Sequence, residues 1–477
     1  MRLRLLPFLL LVLSAPASAA TLDWHACHVE NPKVPMRCAT FHVPENRSMA
    51  NGRVLPLEVI VIPAHDKPAK EPIFFVAGGP GQASTGNAPY ITPDAWQVKT
   101  HDVVLMDVRG TGEGNRLDCA LGGSDADIQE YLEPLFHDGA RYGECAKALS
   151  ARADLTQYTT PNSMQDLDDL RETLGYGQID IDAGSYGTRA ALIYMHMFPT
   201  RVHTAILSGI DVPENRSPLN HAAAAERAIE TLFAQCAADV ACHKTFPDPK
   251  GDLDAILTTL RAKPATVTVA HPVTKKPTAI NLTASGFADG LRVMLYSEEG
   301  GRNVPLLLAR ARAGDYKPFA EAALDNNRVL KLHLAMGLLL SVSCTEDTDR
   351  IDPALIAKAT AGSFIGDWRV KGQMAACAAW PTTHLPADYF APFTVDTPVL
   401  LVSGNLDPVT PPHWGEVAKR YFPNAVHVVM PGAHVAGNDC VDAMTKALFE
   451  TGNTKAIDTS CAKTTKLPDW TLKQPSP

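Results

Sequence analysis

The chain has 477 residues, 45% of them hydrophobic and 20% charged, with a formal net charge of -9. That length accommodates two or three domains with a large core, and the apolar content excludes a disordered chain. The acidic balance argues against a nucleic-acid partner, which would select a basic face.

Residues 1–19 carry Arg2 and Arg4, an apolar run from Leu5 to Leu13, and small residues leading to an Ala17-x-Ala19 site. This is the layout of a secretory signal peptide, with a mature start near Ala20. The run is too short to span a bilayer comfortably, and no later stretch approaches 18 uninterrupted apolar residues. A secreted or periplasmic location is expected, with no membrane association after cleavage. Ten cysteines, at 27, 38, 119, 145, 236, 242, 344, 377, 440 and 461, fit an oxidising compartment. Spacing alone leaves the connectivity open. Pairing sequence neighbours would give 27–38, 119–145, 236–242, 344–377 and 440–461. The absence of any C-x-x-C gives a zinc ribbon little support.

Ala39 to Val43 and Val54 to Pro63 read as strands around the polar turn Pro44 to Gly52. Pro72 to Ala77 and Asp102 to Asp107 are short apolar runs ending in Gly78-Gly79-Pro80-Gly81 and Val108-Arg109-Gly110. Gln178 to Ala183 is another strand, followed by Val202 to Ile210, Thr397 to Gly404 and Ala425 to Met430. Helical spacing over Ser163 to Leu174 and Thr188 to Met197 alternates with these runs. The expected class is α/β, with a mostly parallel sheet flanked by helices. Residues 213–394 break the rhythm and lean helical, most clearly over Ala222 to Cys236, Leu253 to Ala262 and Val304 to Ala313. They read as a large, mainly helical cap inserted into a core of residues 20–212 and 395–477, the alternative being an independent second domain.

Ala183-Gly184-Ser185-Tyr186-Gly187 joins a strand to a helix with small residues around a serine, the layout of a nucleophile elbow. A serine nucleophile needs a base, and the base needs a carboxylate. Asp407 follows the strand ending near Val402, and His434 follows the strand ending at Met430. Their order along the chain, serine then acid then histidine, is the order this layout requires. His427 lies inside a strand, while His413 and Asp439 suit the acid loop and a helix start. An oxyanion hole would combine the Tyr186 amide with one from the glycine loop, first Gly79 and then Gly78. Gly79-Pro-Gly-Gln after a strand also suggests a dinucleotide fingerprint, but Pro80 sits in the turn.

Gly78-Gly79-Pro80-Gly81, Asp107-x-Arg109-Gly110-x-Gly112, Gly184-Ser185-Tyr186-Gly187, Gly404-x-x-Asp407-Pro408-Val409-Thr410-Pro411 and Gly432-x-His434 together resemble the proline-iminopeptidase-like branch of the α/β-hydrolase fold, closest to exported tripeptidyl-aminopeptidase-like proteins with a large cap. Ala77 and Ala183 stand where that branch has histidine and glycine. The resemblance implies a serine aminopeptidase acting through an acyl-enzyme, with no metal or organic cofactor and a peptide or small acyl substrate. It also implies carboxylates near the cap that hold the substrate's α-ammonium. Glu346 is the first candidate and Asp347 the second, the alternative being a solvated acidic turn. Arg109 and Asp107 are expected to brace the loop beside the site. An esterase on the same scaffold, or a non-catalytic binding protein, are the competing functions. The oligomeric state is left open.

Overall fold

The computed structural model describes residues 20–119, 121–385 and 388–473; the expected signal segment 1–19 lies outside the described residues. Nine strands form one sheet: β1 (Thr21–His25), β2 (Arg37–Pro44), β3 (Val54–Ile62), β4 (Ile73–Val76), β5 (Val103–Met106), β6 (Ile179–Gly184), β7 (Val202–Ser208), β10 (Val399–Gly404) and β11 (Val426–Met430). Their spatial order is β1-β2-β3-β5-β4-β6-β7-β10-β11. Pairing is antiparallel from β1 through β3 to β5 and parallel from β5 to β11. The sheet is therefore an α/β-hydrolase sheet with an antiparallel margin.

The hydropathy of each strand follows from its place. β5 and β10 are buried on both faces, so Val-Val-Leu-Met and Val-Leu-Leu-Val run without polar alternation. β1 lies at the edge and is almost wholly exposed, which is why Thr21–His25 carries little strand signal. One face of the sheet packs on the Thr160–Thr173 and Tyr186–Met197 helices, and the other on Met444, Leu448 and Phe449 of the Asp439–Thr451 helix.

Between β7 and β10 the chain is mainly helical, but it also holds an antiparallel hairpin, β8 (Ala265–Ala270) with β9 (Pro277–Leu282). The helical reading missed this pair. The insertion has its own core around Leu232, Phe287, Leu291 and Phe319. It is not self-contained. Tyr131 and Leu132, from the segment between β5 and β6, join that core. Conversely, Leu338, Leu340 and Val342 of the Met336–Glu346 helix pack into the cluster that includes β4 and the elbow helix. All ten cysteines form disulfides between sequence neighbours, the five pairs given above. Cys344–Cys377 ties the Met336–Glu346 helix to the Trp368–Cys377 helix, two elements that face the site.

Candidate active site

β6 passes into the Tyr186–Met197 helix through Ser185, whose φ and ψ are 57° and -130°. A residue with a side chain is strained there, and such strain persists only where its surroundings enforce it. The neighbouring glycines provide that enforcement. A β-carbon on Gly187 would collide with the carbonyl oxygens of Val76 and Ala77, so the helix start lies against the end of β4. Gly184 and Gly209 make room for Val435, whose methyls come within 3.2 and 3.1 Å of where their β-carbons would stand. Ala183 is buried in β6 beside Val76 and Leu207, where one methyl fits. Ser185 and His434 both line a cavity of about 850 Å³.

Because β10 and β11 are adjacent and parallel, the loops that follow them emerge side by side. The first brings Asp407 and the second His434, with His434 Nδ1 2.8 Å from Asp407 Oδ2. Asp407 is fully buried and accepts from the amides of Val409 and Thr410, at 2.8 Å each. Burial alone would raise its carboxyl; His434 and these amide donors outweigh burial and hold it below the ordinary value. With Nδ1 committed to the acid, Nε2 is the nitrogen left to serve Ser185.

Two supports escaped the sequence reading. Thr410 Oγ1 donates to Asp407 Oδ2 at 2.8 Å and lies 3.2 Å from His434 Nδ1. From the His221–Ala238 helix, Arg227 donates to the carbonyls of Asn405 and Asp407, each at 2.8 Å, and so fixes the acid loop. Thr410 was visible three residues after the acid. Arg227, 180 positions away in sequence, carried no local signal.

Gly78 and Gly79 follow β4 and line the same cavity. A β-carbon on Gly78 would lie 3.0 Å from that of Ser185, and Gly79 has φ 112°, which favours glycine. On the other side of Ser185, Tyr186 is the first residue of the elbow helix, where an amide has no intrahelical acceptor. Amides flanking a serine from two sides are what a developing oxyanion requires. Asp107 and Arg109 stand outside the cavity lining and act separately. Asp107 accepts from Thr85 N and Oγ1, at 2.9 and 2.8 Å, while Arg109 pairs with Asp166 at 2.7 Å.

The two acids expected at the substrate's amino group divide, and their order is corrected. Glu346 is fully buried and does not line the cavity. Its oxygens accept from Thr160 N and Oγ1, both at 2.7 Å, and from the Tyr389 hydroxyl. Thr160 Oγ1 also meets the Tyr186 hydroxyl at 2.7 Å, so Glu346 braces the start of the elbow helix. Asp347 does line the cavity, paired with Arg189 at 2.8 Å. Beside it is Asp211, 3.0 Å from the same guanidinium, which the sequence reading passed over. Its signal was position: it follows β7, at the carboxyl ends of the strands where open α/β sheets bind ligands.

Residues 71–244 match the family model described as alpha/beta hydrolase fold, and residues 362–461 match that of the TAP-like protein family. The chain is 24% identical to "Serine protease Hip1" of Mycobacterium tuberculosis, over 94% of this chain and 92% of that one. It is 23% identical to "Tripeptidyl aminopeptidase" of Streptomyces coelicolor, over 94% and 88%. With "Proline iminopeptidase" of Neisseria gonorrhoeae it shares 25% identity over 36% of this chain and 43% of the other. One matched segment carries Ser185 and the other carries Asp407 and His434: the chain is a serine hydrolase of the α/β-hydrolase fold, similar in its C-terminal part to the TAP-like proteins.

Proposed function

We propose that this protein is an extracytoplasmic serine aminopeptidase that releases residues or short peptides from free N-termini. Ser185 attacks the substrate carbonyl, and His434 takes the serine proton and passes it to the departing amine. Asp407 orients His434 and stabilises the imidazolium, while the amides of Gly79 and Tyr186 hold the oxyanion. Water then hydrolyses the acyl-enzyme by the same route. Five disulfides favour an oxidising compartment.

The preference for a free amino terminus rests on one observation. Asp211 and Asp347, both buried, line the cavity; both pair with Arg189, and Asp347 also lies 3.6 Å from Arg350. Neither Arg189 nor Arg350 lines the cavity, so the face turned to the substrate is carboxylate, a negative wall that an α-ammonium completes. An acetylated terminus brings no charge and sets a carbonyl against carboxylates. The test is hydrolysis of chromogenic mono-, di- and tripeptide amides, free or N-acetylated, alongside short acyl esters. The free peptides are expected to turn over at least tenfold faster. Equal turnover of acetylated and free peptides, or turnover of esters alone, contradicts the aminopeptidase reading.

A further inference from the structure

The cavity has a second wall of opposite charge. Arg369 and Gln373 stand one turn apart on the Trp368–Cys377 helix, and Arg292 reaches the same cavity from the Ala284–Met294 helix. Arg292 already has partners: Asp289 at 3.0 Å and the Tyr296 hydroxyl at 2.8 Å. Arg369 has none. Its Nε and Nη1 are buried without an acceptor, and among the described residues no ion pair or hydrogen bond reaches the side chain. Gln373 is 2% exposed, and its amide oxygen has no donor.

Local packing holds Arg369 in place without neutralising it. Its guanidinium carbon lies 4.6 Å over the Phe136 ring. Phe136 adopts φ 70°, unusual for a residue with a side chain, and its amide donates to the Tyr142 hydroxyl at 3.2 Å. Gly372 lets the helix settle on the Phe136 carbonyl, where a β-carbon would clash. Burial and the neighbouring Arg292 lower Arg369 only to about 10, so it is cationic at neutral pH. Nearby His221 adds no further positive charge, since burial and the two guanidiniums push its imidazole well below the usual value. Asp289, the carboxylate acting on Arg369, is already paired with Arg292, so the half-buried guanidinium, with Nε and Nη1 out of solvent, is only partly compensated, and a bound anion removes the remaining cost.

We infer that Arg369, with Gln373 beside it, forms a carboxylate-binding subsite, so that this hydrolase selects small substrates carrying an anionic group away from the scissile carbonyl. The carboxylate takes the free guanidinium edge, and Gln373 Oε1 accepts from an adjacent substrate N–H. The Cys344–Cys377 disulfide joins the helix before Asp347 to the helix of Arg369, fixing the two walls relative to each other. That geometry suits a short zwitterionic peptide. In a peptide the carboxylate is either the C-terminus or an Asp or Glu side chain. The inference rests on the reading that Ser185 reacts in this cavity; it does not require the aminopeptidase specificity.

Three substrate pairs test it, measured as kcat/KM on the full mature protein. The first is the p-nitrophenyl monoester of glutarate against that of methyl glutarate. The second is tetra-alanine against its C-terminal amide, and the third is Ala-Glu-Ala-Ala amide against Ala-Gln-Ala-Ala amide. The charged member of at least one pair is expected to be favoured tenfold or more, and the pair that responds identifies the source of the carboxylate. Arg369→Met is expected to reduce that preference about 10- to 100-fold, as loss of a charge-assisted hydrogen bond does. The neutral member should change less than threefold, and Arg369→Lys should restore part of the preference. Because the ester pair needs no free amino terminus, it reports even if the aminopeptidase reading fails. The wild-type ratios report even if the variants do not fold. Absence of any preference in all three pairs, or an unchanged preference in a folded Arg369→Met protein, overturns the inference.

Discussion

The hydroxyl of Thr410 donates to Asp407 Oδ2 over 2.8 Å, on the same oxygen that faces His434 Nδ1. The acid is thus held on both sides, and its orientation toward the histidine depends on a residue three positions along the same loop. Thr410→Val is expected to lower kcat about tenfold with little change in KM, the loss of roughly one hydrogen bond to a charged group. Thr410→Ser should recover most of it. Asp407→Asn should cost far more, about 10⁴-fold, because the amide favours the wrong histidine tautomer. Steady-state kinetics on one good substrate measures all three.

Asp347 and Glu346 are adjacent in sequence but answer to different assays. Asp347→Asn is expected to raise KM for free-amino peptides several-fold and to leave acetylated peptides or esters unchanged. Glu346→Gln removes an acceptor shared by Thr160 and Tyr389. It should lower stability by about 1–3 kcal/mol, the cost of unsatisfied buried donors. Thermal unfolding of the two variants, set beside their KM values, separates the roles.

The elbow depends on close approach at Gly187, where a β-carbon meets two backbone oxygens. Gly187→Ala should destabilise by about 1–3 kcal/mol or prevent folding, as overpacking does. Gly177→Ala, with open space around it and no left-handed φ, is the matched control and should be neutral.

What could be read from the sequence follows the physics of each element. β4, β5, β6, β7 and β10 are largely buried apolar runs and β11 a partly exposed one, and Ser185, Asp407 and His434 each follow one of them. The β8–β9 hairpin was readable in principle, since Ala265–Ala270 alternates buried and exposed residues. A helical neighbourhood masked that period. The facing of Glu346 and Asp347 was not readable, because neighbouring residues at a helix end point in different directions and only the tertiary partners, Thr160 and Arg189, decide them. Arg227 and Arg369 belong to the same class. Each is an ordinary helix arginine in sequence and acquires a role only from a distant loop or cavity.

Asp182, on β6, gives the structure a pH dependence. Burial, with Asp442 nearby, pushes its carboxyl up to about 7. Between roughly pH 4 and pH 7 the unfolded chain has already released this proton while the folded chain still holds it. Stability is therefore lost as pH rises through that window. Asp182→Asn abolishes the titration, so its Tm advantage over the wild type should widen by a few degrees, roughly, from pH 5 to pH 8. An advantage that is constant or shrinks across that range contradicts the assignment.

The most direct test of the central claim is intact-mass and peptide-map spectrometry after treatment with a fluorophosphonate, which captures an activated serine. One adduct per chain is expected, on the peptide carrying Ser185. Labelling and peptide turnover should both disappear in Ser185→Ala, and labelling should slow sharply in His434→Ala. An adduct on another residue, or undiminished turnover in Ser185→Ala, would contradict the account.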